Sequence, residues 1–257
     1  MDRIRRKLIE NSKHVEQRIA DACRKARRDP SSVTLVAVTK YASLDLVRAM
    51  VELGMTELGE SRVQELIRRA AMVREWIGRR AWDSAASSLK PPRWHMVGHL
   101  QRNKVRPVLP WVEMIHSVDS LRLAEEIDLE AAKLDRRIPI LLEVNAADEP
   151  GKFGVAVAAT THLAEQVHSL RHVELRGLMA LAPLTQDASV IRQTFQRVRE
   201  LFDEVIGERI CGPAFRDLSL GMSNDFEYAI EFGATYVRIG SALFEGIELA
   251  PQPEPVE

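Results

Sequence analysis

Apolar residues recur along this chain with two periods. Ile4, Leu8, Val15, Ile19, Ala22 and Ala26 keep helical spacing, so the chain opens on an amphipathic helix over about residues 3–28. Asp29-Pro30-Ser31-Ser32 ends it, and the β-branched run at 33–39 reads as a buried strand. Ser43 suits the N-cap of a helix with Leu44, Val47, Met50 and Val51 on one face, and Gly54 stops it. The pattern then predicts strands at 55–58, 94–98, 112–116, 138–144, 173–178, 217–220 and 236–239. Helices are predicted between them, marked by Val63, Leu66 and Ala70, by Leu123, Ile127 and Ala131, and by Ile191, Phe195 and Val198. Two further helices are predicted at 158–170 and 224–232, and a helix or turn around Asn103-Lys104. Residues 78–92 are polar, Ala/Ser-rich and end in Pro-Pro, which reads as a mobile loop.

Eight strand–helix units in roughly 250 residues match an α/β fold, a single (β/α)8 TIM barrel with an extra N-terminal helix. An open, doubly wound sheet is the competing arrangement. In a barrel the C-terminal strand ends share one rim, where Lys40, Gly59-Glu60, Gly98-His99, Asn145, Met179, Met222-Ser223 and Arg238 converge. In an open sheet Lys40 could not meet Gly240. One domain is expected over 1–250, followed by a disordered Pro-rich tail at 251–257.

Composition narrows the function classes. The net charge is −1, so no global field favours nucleic acid. Arg3, Arg5, Arg6 and Lys7 are locally basic, but they alternate with apolar residues and read as a solvated helix face. No apolar h-region follows them. No stretch approaches the ~18 continuous apolar residues of a membrane span. Cys23 and Cys211 form no CxxC pair and fit a reducing compartment. A soluble, monomeric, cytoplasmic protein is the expectation.

Candidate chemistry begins at Lys40, which closes the first predicted strand. Burial there is expected to favour a neutral amine, which attacks aldehydes. An ordinary solvated lysine is the alternative. At the far end of the chain, Met222-Ser223-Asn224 lies between a strand and a helix, and Gly240-Ser241 follows the last strand. Turns at these two places are the recurrent phosphate site of such barrels. Plain capping and a tight turn are the simpler readings. An aldehyde-reactive lysine and a phosphate cradle together suggest pyridoxal 5′-phosphate (PLP). Arg238 would pair with phosphate or face the pyridine nitrogen, where a guanidinium donates and does not accept a proton. An interior ion pair with Glu60 or Glu143 is the alternative. His95 and His99 stand four residues apart on a strand-then-loop segment, so no metal is expected from them. His95 reads as a satisfied interior histidine, His99 as a rim residue, and Lys152 as a solvated loop lysine.

Several ordered motifs carry a resemblance. They are Val36-Ala37-Val38-Thr39-Lys40, Gly59-Glu60-x-x-Val63-Gln64-Glu65, Trp94-His95-x-x-Gly98-x-Leu100-Gln101-x-Asn103-Lys104 and His116-Ser117-Val118-Asp119. Further along come Lys152-x-Gly154, Arg176-Gly177-Leu178-Met179, Leu218-Ser219-x-Gly221-Met222-Ser223-x-Asp225 and Val237-Arg238-Ile239-Gly240-Ser241. From about 33 to 244 the chain resembles the YggS/PROSC family of PLP homeostasis proteins, related in fold to the alanine racemase N-terminal domain. The resemblance implies that Lys40 forms the Schiff base with PLP, that Ser223, Gly240 and Ser241 bind its phosphate, and that Arg238 faces its ring. It places Ser61 and Met222 in the same site. It implies a carrier with no catalytic residue, supplying or buffering PLP, with apo PLP-dependent enzymes as recipients. A racemase-like PLP enzyme or, further off, a Schiff-base aldolase are the alternatives. The chain departs from the family at Ala42, where a second lysine is usual, at Ser61-Arg62, where Asn-Tyr is usual, and at Glu245, where glycine is usual. Ser61 is the shorter side chain, and loss of a contact near the ring is expected there.

Overall fold

The computed structural model describes residues 2–80, 89–147, 149, 151 and 153–249. The opening amphipathic stretch is α1 (Asp2–Lys25), which ends where Arg27 turns with φ 55°. β1 (Thr34–Val38) leads to α2 (Leu44–Glu52), capped as expected by Ser43, whose hydroxyl accepts the Leu46 N–H at 3.2 Å. β2 (Glu57–Glu60) lies two residues later than the apolar pattern placed it. α3 (Val63–Arg80) continues through 78–80, which the composition suggested as loop; residues 81–88 of that loop and the tail at 251–257 lie outside the described residues.

β3 (Arg93–Met96), α4 (Val105–Val108), β4 (Met114–Val118), α5 (Leu121–Lys133) and β5 (Ile138–Asn145) follow. A two-residue strand absent from the periodicity, β6 (Val155–Ala156), then precedes α6 (Val157–His168). The chain continues through β7 (Val173–Ala180), α7 (Ala188–Gly207), β8 (Asp217–Ser219), α8 (Phe226–Glu231) and β9 (Tyr236–Ile239).

All strand pairs are parallel, in the order β4-β3-β2-β1-β9-β8-β7-β5-β6, and β4 also pairs with β5. That last pairing closes the ring, and β6 adds a short flank to the end of β5. The fold is therefore a closed eight-stranded parallel barrel, and the open sheet is excluded. Parallel strands need both faces covered. Outside, α2, α3 and α5 to α8 bury Val47, Leu66, Ile127, Val167, Phe195 and Phe226. Inside, Met114, Leu141 and Met179 pack together against Tyr236.

α1 lies outside the repeat and braces its last units. Leu8 and Val15 are fully buried, each stabilising by ~1.5–3 kcal/mol. Asn11 Nδ2 donates to the carbonyls of Leu243 and Glu245, 3.0 and 2.9 Å away. Arg18 pairs with Glu227 and lies over the Phe226 ring, 4.5 Å from its centroid. The basic helix thus grips the backs of the two turns that follow β8 and β9. Periodicity alone showed only a solvated face.

Candidate cofactor site

The pairing of β1 with β9 sets Val36 beside Arg238 and Ala37 beside Ile239. It brings the chain's early lysine to its late glycine turn. A hollow of about 380 Å³ opens there, and Lys40, Ser61, Met222, Ser223, Arg238, Gly240 and Ser241 all line it. Asn224, in the turn expected to bind phosphate, lines it too, as do Val38, Tyr41, Val97 and Leu181, which sequence reasoning missed. Val38 was legible, because β1 alternates and Val38 shares the Lys40 face.

Lys40 is exposed, which overturns the expectation of a buried amine. β1 stops at Val38, and Lys40 and Tyr41 form a turn at the rim. The backbone beneath is held tightly. Glu60 and Arg69 are both buried between β2 and α3. Arg69 Nη1 donates to the Thr39 carbonyl at 2.7 Å, the peptide that carries Lys40. Glu60 accepts the Thr39 hydroxyl at 3.1 Å and the Ser61 N–H at 2.9 Å. Burial raises the Glu60 pKa against the Arg69 charge and these hydrogen bonds. One outward-facing carboxyl therefore places both Lys40 and Ser61 on the inner rim. Gly98 completes this wall, since a Cβ there would lie 2.4 Å from the Ser61 carbonyl oxygen.

The last two turns meet on one oxygen. The N–H groups of Gly240 and Ala242 both donate to Ser223 Oγ at 3.3 Å. Asp225, not Ser223 or Asn224, stands at the N-cap of α8, and its carboxylate accepts the Met222 N–H. Converging amides beside a hydroxyl are what a phosphate oxygen needs. Gly240 lets the chain pass close to β1: a Cβ would lie 3.3 Å from the Val38 carbonyl oxygen.

Arg238 is 4 % exposed and makes no ion pair with Glu60 or Glu143. Nη1 donates to the carbonyl and hydroxyl oxygens of Ser219 at 2.7 and 2.5 Å, and Nη2 to the Ala180 carbonyl at 3.0 Å. Burial lowers its pKa to about 10, against the charges of Asp225 and Glu143, so it stays protonated at neutral pH.

Behind Arg238 a hydrogen-bonded chain crosses the barrel interior. His116 Nδ1 is 2.8 Å from Ser219 Oγ, His116 Nε2 is 2.9 Å from His95 Nδ1, and His95 Nε2 is 2.7 Å from Glu57. Burial raises the Glu57 pKa, but hydrogen bonds and charges from His95 and Arg93 outweigh it and hold it low. Burial, then the charges of His95 and Arg238, hold His116 well below the usual histidine range. A carboxylate that only accepts and a guanidinium that only donates assign the direction between them. The Ser219 hydroxyl donates to His116, His116 Nε2–H donates to His95, and His95 Nε2–H donates to Glu57. Ser219→Ala removes one partner from His116 and one from Arg238. At ~1–3 kcal/mol for each buried group left short, urea denaturation is expected to show a loss of about 2–6 kcal/mol.

His99 sits outside on the rim, stacked on Phe153 at 3.8 Å between ring centroids and 3.3 Å from Asp119. The two histidines of the Trp94-His95 segment therefore face different surroundings. Lys152 lies outside the described residues. Ala42 is buried, so no second amine stands beside Lys40 at that position. Glu245 is exposed, and its carbonyl is one of the Asn11 acceptors.

The fold is thus a closed parallel barrel with a rim lysine after its first strand and converging amides after its last. The family model for the alanine racemase N-terminal domain matches residues 11–247. A pyridoxal phosphate homeostasis protein of Aquifex aeolicus is 35% identical over 235 residues, covering 91% of this chain and 96% of that one. One from Pseudomonas aeruginosa is 34% identical over 92% of this chain and 94% of its own. The chain belongs to the pyridoxal phosphate homeostasis protein family, whose barrel is the alanine racemase N-terminal domain. The solved structure of PipY from Synechococcus elongatus, with PLP bound, matches with TM-score 0.74 and 33% identity over 88% of this chain and 99% of its own. Alanine racemase of Clostridium difficile shares the fold, with TM-score 0.68 and 10% identity over 96% of this chain and 60% of its own.

Proposed function

We propose that this protein binds PLP covalently through Lys40 and acts in PLP homeostasis, holding the cofactor and supplying or buffering it. The observation that carries this reading is one hollow shared by a rim lysine and by two amides converging on Ser223. The PLP-bound PipY structure and the homeostasis relatives support it. When bound, PLP supplies an aldehyde carbon to which a primary amine adds with loss of water. Ser223, Ser241 and the amides of Gly240 and Ala242 hold the phosphate. Arg238 lies toward the ring as a donor, and its three hydrogen bonds fix it there. Val38, Val97 and Met222 give the ring apolar walls.

We read the protein as a carrier, not a racemase. Two-base racemisation needs groups on opposite faces of the substrate. Tyr41 lies at the same strand end as Lys40, 5.0 Å from its amine, and Tyr228 and Tyr236 do not line the hollow. The mouth is open to exchange, with Leu181 and Met222 each 38% exposed beside exposed Lys40. Apo PLP-dependent enzymes are the recipients we infer. A monomer in a reducing cytoplasm fits the unpaired Cys23 and Cys211.

The test is a PLP titration followed by borohydride reduction and peptide mass mapping. A visible absorption band and a pyridoxyl group on the Lys40 peptide are expected. Label spread over other lysines, or none, would sink the proposal. Incubation with D- or L-alanine is expected to leave each enantiomer unconverted; interconversion would favour the racemase reading.

A further inference from the structure

One buried acid has no use in the site described so far. Glu143 lies on β5, on the face that also carries Leu141 into the barrel. It is 7% exposed, and among the described residues no hydrogen bond or ion pair reaches its carboxyl group. The other buried acids are partnered: Glu60 by Arg69, Glu130 by Lys133, Asp217 by Arg176, and Asp225 by the Met222 N–H. A largely desolvated carboxyl that no protein group pairs and that opens onto a hollow is the kind of group found where protons are moved.

Glu143 also faces a space. It lines a second hollow, of about 270 Å³, with Asn145, Phe153 and Leu181 among its walls. Leu181 lines the Lys40 hollow as well, so the two spaces lie side by side. β5 and β1 stand on opposite sides of the ring, so Glu143 and Lys40 face these adjoining hollows from opposite walls. The charged groups near Glu143 are Arg238 on β9 and Asp119 after β4, the latter 3.3 Å from His99. Burial raises the Glu143 pKa to about 7, opposed by Arg238 and helped by Asp119.

We propose that the hollow beside Glu143 admits a small primary amine, such as a free amino acid, and that Glu143 takes the proton from its ammonium group so that the amine can displace Lys40 from PLP. This rests on the covalent PLP reading above. The ammonium proton passes to the carboxylate. The freed nitrogen pair forms a bond to the carbon that Lys40 holds, and the bond from that carbon to Lys40 Nζ breaks. The incoming nitrogen passes its second proton to the Lys40 nitrogen, Lys40 leaves as an amine with the electron pair, and Glu143 then returns the proton it took to that amine. Charge is conserved, and no oxidant or reductant is needed.

The experiment loads wild type and Glu143→Gln with PLP, adds glycine or methylamine, and follows the bound-cofactor band by stopped flow from pH 5.5 to 8.5. Borohydride trapping on Lys40 is expected to be equal in both proteins, which separates failure of this inference from failure of the PLP reading. Loss of a general base is expected to slow amine-driven displacement by ~100-fold or more. In wild type the rate is expected to bend near pH 7 with either amine, although their ammonium groups differ in acidity, and the bend is expected to vanish in Glu143→Gln. Equal rates in the two proteins would overturn the proposal. So would a wild-type bend that moves with the amine, a result that stands even if the variant folds poorly.

Discussion

Lys40→Ala is expected to lose the visible band and all borohydride-trapped label while keeping the stability of the parent barrel. The two halves of this prediction come from the same geometry. Lys40 is exposed, with its amine 5.0 Å from the centroid of the Tyr41 ring. Substitutions at such positions usually change stability by no more than ~0.5 kcal/mol. The peptide below it is held by Arg69 and Glu60, which the substitution does not touch. The phosphate cradle is also intact, so PLP still binds non-covalently. Its affinity is expected to fall by at least tenfold, a loss of ~1.4 kcal/mol or more. Lys40→Arg sharpens the result, because a guanidinium keeps the charge but stays protonated and forms no bond to an aldehyde. Equilibrium dialysis with PLP, beside thermal melts of the apo proteins, separates the two effects. Trapped label persisting in Lys40→Ala would move the covalent site to another lysine.

Gly177→Ala is expected to be among the most damaging single substitutions to the fold. Gly177 has φ +153°, and a Cβ there would lie 1.8 Å from the Asp217 carbonyl oxygen. It sits at an irregularity in the β5–β7 register, where Ile140 pairs with Leu175 but Leu141 pairs with Gly177. β7 and β8 meet at Gly177 and Asp217, so the added methyl pushes two backbones apart. Backbone strain of ~1–3 kcal/mol and overpacking of ~1–3 kcal/mol combine to about 2–6 kcal/mol. That is a large share of the ~5–15 kcal/mol that stabilises a typical domain. Ser219, two residues beyond Asp217, holds Arg238, so surviving protein is expected to bind PLP more weakly as well. Gly78→Ala is the control. Gly78 is inside α3 with nothing within 4 Å of its would-be Cβ, and alanine there is expected to stabilise by ~1 kcal/mol. Urea midpoints of the two variants should move in opposite directions.

The elements most legible in the sequence were those whose burial pattern is a local matter. β9 was placed at its observed bounds and β5 within one residue, because predominantly apolar runs mark strands covered on both faces, even where Arg238 and Glu143 interrupt them. The Ser43 cap needed only a hydroxyl three residues before an amide. β2 was misplaced because its inward face carries Glu57 and Gly59, which no alternation rule expects. Glu57 is accommodated by His95 and Arg93 from the next strand, and Gly59 by Val36, whose Cγ1 lies 2.8 Å from a would-be Cβ. Lys40 was expected to be buried because a strand pattern does not show where the barrel rim falls.

By itself the sequence determined the alternation of strands and helices, the lysine at the end of β1, and the two late turns rich in small residues. These depend on periodicity, on caps and on the backbone freedom of glycine, all read within a few residues. Tertiary structure alone decided that the turns and the lysine share a hollow, since that follows from hydrogen bonding between β1 and β9 and ring closure between β4 and β5. It also decided which interior polar groups are partnered, joining His116 to Ser219 and leaving Glu143 beside a space. A side chain's chemistry is local, whereas its partners and exposure are set by segments far away in the chain.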